Sequence, residues 1–152
     1  MKKLGYLFVG LVAIVIIFGL WSIGGPGAAK MQRMDDQRIS DLQNLQSQII
    51  YYWQGKQKLP ATLEGLVDST RGVYVPVDPE TGAAYSYKTT GDLSFELCAK
   101  FAKEYKLSTP ISVAPYDAKP TGLMAGSWDH PVGDYCFART IDRDFYPPIK
   151  KF

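Results

Sequence analysis

The chain has 152 residues, 46% hydrophobic and 21% charged, a composition that excludes a disordered chain and a coiled coil. Lys2 and Lys3 are the only charges before residue 24, and the rest carries 15 Lys+Arg against 15 Asp+Glu. That balance excludes nucleic-acid binding through a basic surface, and a single histidine leaves little material for metal or acid–base chemistry.

Residues 1–3 read as a cytoplasmic tail and residues 4–23 as a transmembrane helix. The latter hold no charge, and 20 residues at about 1.5 Å rise each match a hydrocarbon core about 30 Å thick. Tyr6 and Trp21 fall near its two ends, where amphipathic rings favour the headgroup layer. Two alternatives stay open: a buried helix, and a cleaved signal peptide with Lys2 and Lys3 as its basic start and Gly27, Ala28 and Ala29 near its cleavage site. A signal core of about 7–15 residues is shorter than this stretch, which favours a retained anchor in the cell membrane. Two lysines on so short a tail resist translocation, so the domain is expected on the extracytoplasmic side. Lys30, Arg33 and Arg38 beyond the span partly offset that bias.

Gly24, Gly25, Pro26 and Gly27 predict a helix break within a linker over residues 24–30. An extracytoplasmic domain then runs over residues 31–152. From residue 30 to 54 there is no Gly or Pro, and Ile39, Leu42, Leu45, Ile49 and Tyr52 recur at steps of three and four, one face of a long helix. Ile50 and Trp53 widen the stripe beyond a coiled-coil seam, so packing on a sheet is expected. Gly55, Lys56 and Lys58 mark its end.

Residues 60–67 predict a short helix with Leu63, Leu66 and Val67 on one side, and residues 73–75 a brief strand. Asp78-Pro79-Glu80-Thr81-Gly82 is turn chemistry. Strands at 85–88 and 93–101 around Gly91 make a hairpin. In the second strand Leu93, Phe95, Leu97, Ala99 and Phe101 form a core face, while Ser94, Glu96, Cys98 and Lys100 alternate with them. Residues 102–133, broken by Pro110, Pro115, Pro120 and Pro131, predict a long loop. A last strand is expected at 135–141, followed by an extended tail through Pro147 and Pro148.

Cys98 and Cys136 both lie in strand-like stretches, so two neighbouring strands could bring their sulfurs together. Outside the cytoplasm an even count reads as one disulfide, worth about 4 kcal/mol on the chain-entropy view. The alternatives are two buried thiols or a nucleophile served by His130. With Cys98 on the polar face, a disulfide predicts that the C-terminal segment lies over that face.

The run of an apolar helix, a long amphipathic helix, Pro60-x-x-Leu63-x-x-Leu66, and Pro76-Val77-Asp78-Pro79-Glu80-Thr81-Gly82-x-x-Tyr85-x-Tyr87 resembles the type IV pilin and type II secretion pseudopilin families. The resemblance covers residues 31–101 and is nearest to the major pseudopilin core. It implies a long helix packed on a small antiparallel sheet, anchored in the inner membrane before assembly. The C-terminal part, with Ser127-Trp128-Asp129-His130-Pro131 and Tyr135-Cys136-Phe137-Ala138-Arg139-Thr140, resembles an uncharacterised group of bacterial membrane-anchored domains. Prepilins carry a glutamate five positions after their cleavage glycine. Here Gly10 follows Gly5 at that spacing and residues 1–23 hold no acid, so the resemblance carries neither processing nor filament growth.

No catalytic, cofactor-binding or metal residue is expected, and no enzyme activity. His130 follows Asp129 without a nucleophile-elbow serine or a second histidine, which predicts a surface turn. The resemblance to calcium-binding pseudopilins makes Asp78, Glu80, Asp129 and Asp134 conceivable oxygen donors, yet no stretch has regular acidic spacing. The overall expectation is an α+β protein with an N-terminal transmembrane helix and a long amphipathic helix on a small antiparallel sheet. It would act without catalysis, through contacts with other envelope proteins, as an accessory of a secretion or pilus-like system. The alternative is an extracytoplasmic module whose loop 102–133 binds a small ligand or peptide.

Overall fold

The computed structural model describes residues 2–22, 26–106 and 127–149. The chain divides into two compact units, Met1–Arg33 and Met34–Phe152. Helix α1 spans Lys2–Ser22 and helix α2 spans Pro26–Lys56. Pro26 suits a first helical position, where a missing N–H loses no partner. Residues 26–30 of the expected linker are therefore helical, with Gly27 inside α2, while residues 23–25 lie outside the described residues. The side chains described in α1, those of Tyr6 and residues 10–19, are exposed. Among the described residues no helix is long and apolar enough to cross a membrane.

Strands β1 (Ser86–Thr89), β2 (Ser94–Phe101) and β3 (Gly133–Thr140) form one antiparallel sheet in that spatial order, which makes the fold α+β. The core joins Leu42, Leu45, Ile49 and Trp53 of α2 to Phe95, Leu97 and Phe101 of β2 and Phe137 of β3. The steps of three, four and four keep these α2 side chains on one helical face. Trp53 is 2% exposed, whereas Tyr52, expected on the stripe, is only half-buried. Burying one such side chain is worth about 1.5–3 kcal/mol, so this face, more than helix propensity, holds α2 to the sheet.

Beyond α2 the backbone turns at Gln57, whose φ of 58° is left-handed and whose N–H still reaches the Trp53 carbonyl at 2.7 Å. The expected short helix is a single 3₁₀ turn, Leu63–Leu66, that drives Leu63 and Leu66 into the core. The strand expected at 73–75 shrinks to one bridge between Asp68 and Val73. Its cause is local: the Asp68 carboxylate accepts the N–H groups of Thr70 and Arg71, and Gly72 takes φ +68°, closing a turn too tight to extend.

Cys98 and Cys136 are directly opposite partners on β2 and β3, with Cα atoms 4.0 Å apart, and their sulfurs are bonded. The disulfide is as expected, but β3 lies beside β2 in the same sheet rather than over its polar face. Adjacent antiparallel strands present opposing side chains on the same side, so no covering segment is needed. Of the expected loop 102–133, residues 107–126 lie outside the described residues. Its two ends meet in a bridge between Tyr105 and His130. The tail returns to α2, where the Gln54 side-chain amide donates to the Pro147 carbonyl and the Gln54 carbonyl accepts the Ile149 N–H.

Candidate functional site

Arg38 is the hub that fixes the Asp78–Gly82 turn to α2. Its guanidinium donates from Nε to Asp78 Oδ2 at 2.6 Å, from Nη1 to Asp35 Oδ1 at 2.8 Å, and from Nη2 to Glu80 Oε2 at 2.7 Å. Asp35 and Arg38 sit three residues apart, one turn of the same helix face. Asp35 also accepts the N–H groups of Ala102 and Lys103, tying the end of β2 to the hub. Asp78 further accepts from the Glu80 and Thr81 N–H groups, and Gly82 at φ +70° completes the turn. The Arg38 hydrogen bond holds the Asp78 carboxyl well below the usual carboxylate range against the opposing effect of burial, with the Thr81 and Glu80 N–H groups adding to it. Arg38 is held correspondingly above its ordinary value, chiefly by Asp78.

One turn further along α2, Asp41 accepts the Tyr85 hydroxyl at 2.8 Å in a buried contact. Burial first and Asp41 second push the Tyr85 hydroxyl above its ordinary value. The Tyr87 hydroxyl donates to the Pro60 carbonyl at 3.0 Å, and burial pushes its pKa up to about 12. These paired aromatics thus fasten the β1 end of the hairpin to α2 and to the Pro60 turn.

A second cluster gathers at the start of β3. His130, expected on a surface turn, is 4% exposed and stacks on Phe101 with ring centroids 3.6 Å apart. The Tyr105 bridge pulls its backbone inward, and a flat imidazole fills the space over Phe101. Its Nδ1 lies 3.2 Å from the Pro131 carbonyl. Arg139 is also buried: neutral oxygens of Gln46, Ala138 and Ser127 accept its N–H groups at 2.9, 3.0 and 3.2 Å. Its Cζ lies 4.2 Å from the Trp128 ring centroid and 5.2 Å from that of Phe137, the geometry of cation–π contact. Burial lowers its pKa, though an arginine stays charged at neutral pH.

A partly apolar groove lies between the C-terminal half of α2 and the 63–73 segment. It has a volume of about 970 Å³ and is bounded by Tyr51, Tyr52, Leu66, Val67, Arg71 and Ile149. Tyr51 and Val67 are 53% and 55% exposed, and Arg71 places its guanidinium 5.9 Å from the Tyr51 ring centroid. Aromatic and aliphatic side chains beside an arginine are the composition that carries protein–protein contacts.

The disulfide consumes both cysteines, so neither serves as a nucleophile for His130. Asp78 and Glu80 are turned onto Arg38, and among the described residues no three His, Cys, Asp or Glu side chains converge on a position for a metal ion. The Arg38 hub was missed from the sequence, although Asp35 and Arg38 show the spacing of a helical ion pair. Arg139 was missed as well, although alternation places it on the inward side with Phe137 and Ile141. Comparison with known proteins finds no matching family model, no matching curated protein and no matching solved structure.

Proposed function

We propose that this chain is a membrane-anchored extracytoplasmic domain of pilin-like build that works through protein–protein contacts, as an accessory of a secretion or pilus-like assembly. The observation that carries the compartment is the Cys98–Cys136 bond, since structural disulfides persist where thiols are not kept reduced. The anchor is residues 4–23, an uncharged run of 20 residues whose described side chains are solvent-exposed leucine, isoleucine, valine and phenylalanine for the most part. A long helix on a three-stranded antiparallel sheet, with an Asp-Pro-Glu-Thr-Gly turn hooked onto that helix, supports the pilin-like reading. The contact surface is the groove beside Tyr51 and Val67.

The test is crosslinking of the full chain in native membranes, with identification of neighbours and an alkaline wash in parallel. The reading expects the chain to stay in the membrane pellet and a specific neighbour to disappear in Tyr51→Ala and Val67→Asp variants that keep the disulfide. Release into the wash, or both thiols free in fresh cells, overturns the placement; neighbours unchanged in both variants overturn the contact surface.

A further inference from the structure

The division of charge along the chain coincides with its division into compact units. Four of the 17 Lys+Arg and none of the 15 Asp+Glu fall in Met1–Arg33, so that unit carries +4 and the remainder −2. The first carboxylate in the chain is Asp35, already committed to Arg38. Lys30 and Arg33 are exposed, three residues apart on one face of α2. They follow the uncharged run 4–23 within ten residues. Among the described residues Lys30 and Arg33 form no ion pair.

We infer that Lys30 and Arg33 are a headgroup-binding pair: they grip the phosphates of anionic phospholipid in the leaflet next to the domain. The inference rests on the anchor reading above, because it needs residues 4–23 to hold this turn of α2 at the membrane surface. A basic side chain near an anionic surface attracts it strongly enough to change occupancy by about fivefold. Arginine and lysine divide the work, one as a planar fork and one as a point charge, on adjoining phosphates. The net negative remainder of the chain is repelled by the same surface, so the attraction belongs to this one turn and not to the domain as a whole.

The full chain, purified in neutral detergent and offered equal amounts of phosphatidylglycerol and phosphatidylcholine, tests this by native mass spectrometry of retained lipid. The wild type should retain phosphatidylglycerol in clear excess, and the K30Q/R33Q variant should lose roughly 25-fold of that preference, about fivefold for each cation. Gln matches Lys and Arg in helix propensity, so α2 is preserved, and an intact Cys98–Cys136 bond verifies the fold. A K2Q/K3Q variant should keep the share owed to Lys30 and Arg33. Equal retention of both lipids by the wild type, or a K30Q/R33Q variant with undiminished preference, overturns the inference. An alkaline wash separates the two levels: a wild-type chain that washes out of membranes overturns the anchor and this inference together, whereas one that stays while K30Q/R33Q keeps its preference overturns this inference alone.

Discussion

Replacing Arg38 by methionine keeps most of the side-chain volume and removes the charge at the centre of the hub. Asp35 then keeps only its backbone partners and Asp78 its backbone partners and the Thr81 hydroxyl, in a site where the two carboxylates are 7% and 12% exposed. Removing one member of a buried ion pair costs about 3–5 kcal/mol. Because Asp35 retains the Ala102 and Lys103 N–H groups and Asp78 those of Glu80 and Thr81, the cost should fall at the lower end, about 3 kcal/mol. The pH dependence adds a second readout. The folded Asp78 carboxyl sits below its unfolded value of about 3.9, so its stabilisation is complete above that value and is lost as pH falls through and below it. Urea titrations of the full chain in neutral detergent, followed by tryptophan fluorescence from pH 7 down to pH 2, measure both effects. The wild type should weaken steadily below pH 4, and Arg38→Met should start lower and decline less. Glu80→Gln serves as a control, since a 58% exposed partner should contribute under about 1 kcal/mol. A loss below about 1 kcal/mol in Arg38→Met, with an unchanged acid limb, would refute the view of Arg38 as the hub.

Leu45→Ala, at a side chain with no exposure on the sheet-facing side of α2, should cost about 2–5 kcal/mol in the same urea titration. The double variant Cys98→Ser with Cys136→Ser should fold with a loss of about 4 kcal/mol, because the bond closes a loop with a sequence separation of 38. At the alkaline end the sign reverses. Tyr85 and Tyr87 are both held above their ordinary value, so their stabilisation is complete below about pH 10 and is lost as pH rises toward the folded value, about 12 for Tyr87. Ultraviolet difference spectra should therefore show these two phenols ionising only well above pH 10.

What could be read in advance was whatever followed a period. The α2 stripe and the alternation in β2 each bury a repeating face, and the hairpin came from turn chemistry between two alternating runs. The pairing of Cys98 with Cys136 on neighbouring strands followed from parity and strand context, whereas the residue-by-residue register that puts them directly opposite is encoded by no local pattern. His130 was misplaced because its burial comes from a rung with Tyr105 and a ring contact with Phe101, both distant in sequence. The Arg38 hub joins residues 40 and 42 positions apart, so only its local half, the Asp35 pair, left a trace in the spacing. The groove beside Tyr51 exists only once the 63–73 segment folds back on α2, a closure set by the Leu63 and Leu66 anchors.

The covalent bond between β2 and β3 joins residues 98 and 136, and the Tyr105–His130 rung joins residues 105 and 130. A single backbone cut anywhere between Cys98 and Cys136 therefore yields two fragments that remain one molecule until a reductant is added.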